Sequence, residues 1–268
     1  MGRIDFNCFV GTWPFHYVRN SRFSDLRALH AANQIDYGYV SSTEAIFYHD
    51  PYEADVRLAA EIRGSDYQHV VTLNPTLPGC IDTLKRMTQE FPVAGVRILP
   101  GFHDYRLTDP LLENLYQVMC EYKLPLFLTL RMEDERAAYL FKSKEVPIWD
   151  IDLFVSTHMD IPIMICNCRN QELSWLAASL PYRPHVSIDC SGLKNGLFGI
   201  DAIYEEGAAD KLVYGSLAPI FCMKSTILSI ETADIPDKVK RDIFSGKRFL
   251  NALHTLEKTR EEEFVVLS

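Results

Sequence analysis

Residues 96–99 read Val96-Arg97-Ile98-Leu99, and residues 126–130 read Leu126-Phe127-Leu128-Thr129-Leu130. Both are nearly unbroken apolar runs, the pattern of strands covered on both faces of a parallel sheet. Between them Asp109-Pro110 signals a helix start, after which Leu111, Leu112, Leu115, Tyr116 and Met119 share one helical face. A strand, a helix and a second strand in this span make one parallel crossover unit of about 30 residues.

The unit recurs. β-rich apolar runs begin near Ile4, Ile35, His69, Ala94, Pro125, Ile161, His185 and Lys211, at intervals of 24 to 36 residues. Asp50-Pro51 opens another helix with Gly64 past its end, and Ile235-Pro236-Asp237 introduces a last one expected to run toward His254. Eight such units in about 250 residues is the arithmetic of an α/β fold, a single (β/α)8 TIM barrel with an extra C-terminal helix. A doubly wound open sheet rarely needs eight evenly spaced parallel strands. No linker or compositional break divides residues 1–268, so they are read as one domain, with the charged stretch Glu257–Glu263 as a solvated helix end.

Composition sets the broad class. With 47% hydrophobic and 12% aromatic residues the chain carries enough apolar mass to fold. Lys+Arg 27 against Asp+Glu 36 gives a net charge of −9, which argues against broad nucleic-acid binding. No apolar run approaches the ~18 residues of a membrane span. Met1-Gly2-Arg3-Ile4-Asp5 lacks a signal-peptide pattern, and Phe6 stands where a myristoylation motif needs Ser or Thr. Seven cysteines, an odd count without secretory context, are read as reduced thiols and point to a cytoplasmic protein. The expected partner is a small-molecule substrate.

Several strings at the expected strand ends carry a family resemblance. They are Ile4-Asp5-Phe6-Asn7-Cys8-Phe9-Val10-Gly11, Gly95-Val96-Arg97-Ile98-Leu99-Pro100, Leu124-Pro125-Leu126-Phe127-Leu128-Thr129 and Ala209-Asp210-Lys211-Leu212-Val213-Tyr214-Gly215-Ser216. Ser245-Gly246-Lys247-Arg248-Phe249-Leu250 is similar to the closing helix. Over nearly its whole length the chain resembles the amidohydrolase superfamily, the amidohydrolase-related branch of metal-dependent barrel hydrolases. The resemblance implies a site at the C-terminal strand ends, cleavage of C–N or C–O bonds, and a possible homodimer. It also implies a metal held by two strand-one histidines, histidines on strands five and six, and a strand-eight aspartate. Here those positions hold Asn7, Phe9, Thr129, Asn167 and Leu217. The five metal ligands are lost together, so neither a metal nor another cofactor is expected. Cys8, Cys166 and Cys168 flank inward positions and are read as buried residues facing the helices.

In this architecture the loops after the strands build the site. His103, on a loop after strand four, is the expected general acid/base, since histidine's unperturbed pKa is about 6.5. Its alternative is a hydrogen bond across the loop. His16 is a second candidate. Arg131, at the end of strand five, and Arg97, within strand four, are read as grips for a carboxylate or phosphate. The alternative for each is an ion pair with a local acid such as Asp104, Glu133 or Asp134. Asp134 is also a candidate for activating water. Asn7, Ser41, Asn74, Tyr105, Thr129 and Asn167 are expected to line the substrate site, with Trp13 and Tyr48 as aromatic walls. Asp5 is expected on the same inward face as Asn7 but deeper, as a packed structural residue. Two functions follow: a metal-independent hydrolase of a small cyclic or carboxylated, lactone-like substrate, or an inactive barrel that binds a metabolite or protein partner.

Overall fold

In the computed structural model, which describes residues 2–134, 140–194 and 199–256, eight parallel strands follow one another round a sheet in chain order. They are β1 (Ile4–Val10), β2 (Tyr37–Ser42), β3 (Gln68–Thr72), β4 (Gly95–Ile98), β5 (Leu126–Thr129), β6 (Ile163–Cys166), β7 (Val186–Asp189) and β8 (Leu212–Val213). The ring closes where Phe6 N–H donates to the Tyr214 carbonyl at 2.9 Å and Leu217 N–H to the Asn7 carbonyl at 2.7 Å. The fold is therefore the expected α/β (β/α)8 barrel. Glu257–Glu263, Glu135 and Arg136 lie outside the described residues. No helix among those described is long and apolar enough to cross a membrane.

Helices surround the sheet: α1 (Phe23–Ala32), α2 (Tyr52–Ile62), α3 (Cys80–Glu90), the single turn α4 (Pro100–His103), α5 (Leu111–Tyr122), α6 (Ile148–Thr157), α7 (Asn170–Ala177), α8 (Gly199–Glu205), α9 (Met223–Glu231) and α10 (Asp237–Ser245). The Asp50-Pro51 signal holds: Asp50 Oδ1 accepts the Tyr52 N–H at 3.1 Å. The last helix does not run unbroken toward His254. Gly246 takes φ +61°, ending α10, and a separate helix, α11, spans 247–256. A Cβ on Gly246 would stand 2.0 Å from the Phe6 ring, so this break needs glycine on both counts. The turn aims Phe249 into the barrel floor, where its ring lies 5.5 Å from Phe6 and 5.6 Å from Phe127.

Two expectations about strand faces are corrected. β1 carries a bulge, since Asp5 pairs with Gly38 but Cys8 with Val40, three steps against two. The extra residue breaks the alternation, so Asp5 does not share Asn7's inward face. It turns toward α1, accepting from Ser216 N–H and hydroxyl and meeting His30 Nε2 at 3.2 Å. Likewise Cys166 does not face the helices as Cys8 and Cys168 do. It packs inside the barrel with Met164 and Phe127. Asn167 explains this, because its φ of +57° resets the alternation immediately after the strand.

Phe249 fills the barrel floor completely shielded from solvent. Phe249→Ala should cost about 3–5 kcal/mol through the cavity it leaves. Calorimetry should show the melting temperature falling by roughly 10 °C for a chain of this size.

Candidate active site

The barrel interior holds a cation. Arg97, on β4, is fully buried, its Nε donating to Ser41 Oγ at 2.9 Å and its Nη1 to Thr129 Oγ1 at 2.6 Å. Its guanidinium lies 4.5 Å from the Phe9 ring centroid and 5.5 Å from that of Phe127. Nη2 has no partner among the described residues. Burial lowers the Arg97 pKa, while the nearby Cys166 and Asp189 act against that. Asp189, at the end of β7, accepts from Asn7 Nδ2 at 2.5 Å, from Asn167 N–H at 2.7 Å and from the Ser191 hydroxyl. Its burial pushes its pKa up to about 6 against those hydrogen bonds and the Arg97 charge.

These residues do not fit the metal that the family resemblance implies. Asn7 and Asn167 turn amide N–H groups, not oxygens, toward Asp189 Oδ2 and the Arg131 carbonyl. Thr129 Oγ1 is engaged by Arg97, and Phe9 and Leu217 are apolar. A fixed guanidinium among them repels a divalent cation. One other cluster of ligating types is found among the described residues: Asp5, Cys8 and His30. Its atoms are already bonded, Cys8 Sγ to the Tyr39 carbonyl and His30 Nδ1 to the Tyr67 hydroxyl at 2.7 Å, in a latch between β1, β2 and α1.

Above Arg97 an apolar cap covers the barrel. Phe9, Trp13, Ile46, Leu99, Met132 and Leu217 form one buried cluster, flanked by Phe15 and Phe102. Trp13 is thus part of the cap rather than a pocket wall. Tyr48 is no wall either: Phe47 takes the ring contact with Trp13, at 5.5 Å, while the Tyr48 hydroxyl meets Glu44 and Arg57 on the α2 side. Tyr105 points away from the mouth into the layer between barrel and helices. Asn74 folds back on its own turn, accepting from Thr76 N–H at 3.0 Å.

His103 is drawn elsewhere. Its Nε2 lies 2.8 Å from the Ile46 carbonyl, which can only accept, so the ring proton sits on Nε2. Burial holds its pKa below the ordinary histidine value. The structure therefore places His103 as a tie between α4 and the turn after β2.

Beyond the cap, the ends of β5 to β8 enclose a cleft of about 350 Å³ whose lining includes Arg131, Glu133, Asp134, Asn167, Arg169 and Lys194. Three of the residues singled out from the sequence, Arg131, Asp134 and Asn167, meet here. Arg131 is held by an acid that the sequence did not suggest: Glu172, on α7, grips its two terminal nitrogens, one at 2.8 Å. Lys194 Nζ stands 3.2 Å from the centroid of the Phe221 ring on the cleft wall. The other histidine candidate, His16, has its Nδ1 2.9 Å from Glu133 Oε1, which also accepts from Trp13 Nε1 at 2.8 Å. A carboxylate at Nδ1 keeps the proton there and leaves Nε2 as an acceptor. The His16 side chain is 43% exposed and lines a pocket that borders the cleft at Phe221.

The sign of Asp189's effect on stability follows from its raised pKa. Between about pH 4 and 6 the folded chain keeps this proton while the unfolded chain has lost it. Stability should then fall as pH rises through that window, by roughly 3 kcal/mol from this group. Urea titrations of wild type and Asp189→Asn across the window check it, the variant lacking that component.

Comparisons with known proteins agree with the fold. The Amidohydrolase family model matches residues 14–251. No curated protein matches. Among solved structures, a dihydroxybenzoic acid decarboxylase from Polaromonas sp. JS666 is 13% identical, covering 94% of this chain and 97% of its own, with a TM-score of 0.69. A 5-carboxyvanillate decarboxylase from Sphingomonas paucimobilis is 14% identical over 94% and 99%, at 0.66. A probable 2-pyrone-4,6-dicarboxylic acid hydrolase from Acinetobacter baumannii, with citric acid bound, is 12% identical over 95% and 100%, at 0.65. At these identities the likeness shows the shared barrel, while the family match spans most of the sequence: the chain belongs to the amidohydrolase family.

Proposed function

We propose that this chain is an amidohydrolase-related hydrolase that opens a small carboxylated, lactone-like ring in the cleft beyond the cap, without a metal at the family's position. The observation that carries the reading is the His16–Glu133 contact: Glu133 lines the cleft that also presents Arg169 and Lys194, and His16 lines the neighbouring pocket, which shares the Phe221 wall with it. Glu133 orients the imidazole, and His16 Nε2 takes a proton from water as its oxygen adds to the ring carbonyl. The ring C–O bond then breaks, and the same proton passes to the departing alkoxide, giving a hydroxy acid. Arg169 and Lys194 hold the substrate carboxylate, and Asn167 and Asp134 border the reacting group. Two structural neighbours, a 5-carboxyvanillate decarboxylase and a probable 2-pyrone-4,6-dicarboxylic acid hydrolase, carry the names of carboxylated molecules, which supports this substrate class.

His103, the base expected from the sequence, is replaced in this reading by His16. A second reading, a barrel that binds the same molecule without converting it, is favoured by the apolar cap over the polar interior.

A panel of carboxylated lactones, followed by proton release, separates the two. His16→Gln should lower kcat by at least about 100-fold with an unchanged melting temperature, the usual loss of a general base. His103→Gln should stay close to wild type, and dialysis against chelator should leave turnover intact. If the pure chain binds a panel member saturably yet releases no product, the binding-only reading replaces this one.

A further inference from the structure

At the end of the barrel opposite the cleft, a second cavity of about 390 Å³ opens between α8, α10, α11 and the turn Ala209–Lys211 that leads into β8. Lys238, Lys247 and Arg248 line it together with Asp210 and Asp242. A fourth cation, Lys211, stands beside Asp210 with its side chain only 3% exposed.

Each acid here is shared by two cations. Asp242 Oδ2 lies 2.8 Å from Lys238 Nζ and 3.5 Å from Lys247 Nζ. Asp210 Oδ2 lies 3.7 Å from Lys211 Nζ and 4.0 Å from Arg248 Nη1, too far for a hydrogen bond to either. Arg248 Nε is buried and has no partner among the described residues. Burial pulls the Lys211 pKa down; Asp210 opposes that, while Arg248 adds to it. Two carboxylates facing four cations leave two positive charges unmatched, in a chain whose net charge is −9. The cavity also has an apolar side, with Tyr204 on α8 and Val239 and Ile243 on α10.

We propose that this floor cavity binds a phosphate monoester carried on a small apolar or aromatic body. A phosphate monoester has a charge of about −1.5 to −2 at pH 7 and three strong acceptor oxygens. It therefore answers the two unmatched charges and offers separate acceptors to Lys238, Lys247 and Arg248. A single carboxylate brings half that charge and is typically met by one arginine fork. Tyr204 and its apolar neighbours cover the body of the molecule, and the volume is that of an ordinary small-molecule site. No residue of the cleft contributes, so binding here is independent of the reaction there.

Calorimetric titration of the full chain with phenyl phosphate, in low-salt buffer free of other phosphate, should show saturable binding at roughly millimolar concentration or below. Inorganic phosphate should bind at least about threefold more weakly, because it lacks the ring. Arg248→Met should raise the dissociation constant for phenyl phosphate at least about tenfold. If that variant does not fold, Lys238→Met with Lys247→Met decides, since those side chains are 70% and 42% exposed. That pair should weaken binding about fivefold or more. Arg169→Gln with Lys194→Gln, at the cleft, should leave the affinity unchanged. Failure to saturate by about 10 mM overturns the proposal. So does inorganic phosphate that binds as tightly as the ester, or an affinity lost with the cleft pair and kept with the floor variants.

Discussion

A guanidinium buried in the centre of the barrel has to be satisfied, and much of the upper barrel is arranged round that need. Arg97 is shielded from water on every side, and an unmatched buried charge would cost several kcal/mol. Its immediate hydrogen-bond partners are neutral hydroxyls on β2 and β5, with aromatic faces beside it. Asp189, two strands past β5, supplies the nearby negative charge without a direct ion pair. That carboxylate is itself fixed by Asn7 and Asn167, two of the positions where the family resemblance implies metal ligands. A protein cation and its hydrogen-bonded surroundings thus occupy the region a metal and its ligands would need.

The cap meets the same need. Phe9 and Leu217 cannot ligate, but they can bury, and together with Trp13, Leu99 and Met132 they close the mouth above Arg97. Hydrophobic closure excludes water from the cation and keeps its field strong. It also divides the polar residues of the strand ends into two sets. Ser41, Arg97 and Thr129 lie below the cap, while Arg131, Glu133 and Asp134 face the cleft beyond it. Trp13 connects the two levels, with its ring in the cap and its N–H on Glu133.

Much of the fold was legible because strand spacing and apolar content are local properties. The eight strands, the Asp50-Pro51 helix start and the closing helix follow from residue order. Helix direction past Ser245 did not, since the left-handed Gly246 is required by the approach of Phe6, a contact between chain ends. The site was legible only as a set of candidates. Arg131 invited an acid, but the acid is 41 residues away on α7. His16 and His103 look alike as loop histidines. What separates them is that one meets the Glu133 carboxylate and the other a backbone carbonyl. The misplaced faces of Asp5 and Cys166 have a similar origin, for a bulge and a left-handed residue leave no mark in an alternating pattern.

By itself the sequence determined a parallel eight-stranded barrel, because period, spacing and residue type are properties of the chain read in order. Only the tertiary structure decided that a buried arginine stands beside Thr129 and Phe9, that an apolar cap covers it, and that His16 rather than His103 is joined to a carboxylate. Those outcomes depend on distances between side chains far apart in sequence, which only the closed barrel brings within hydrogen-bond reach.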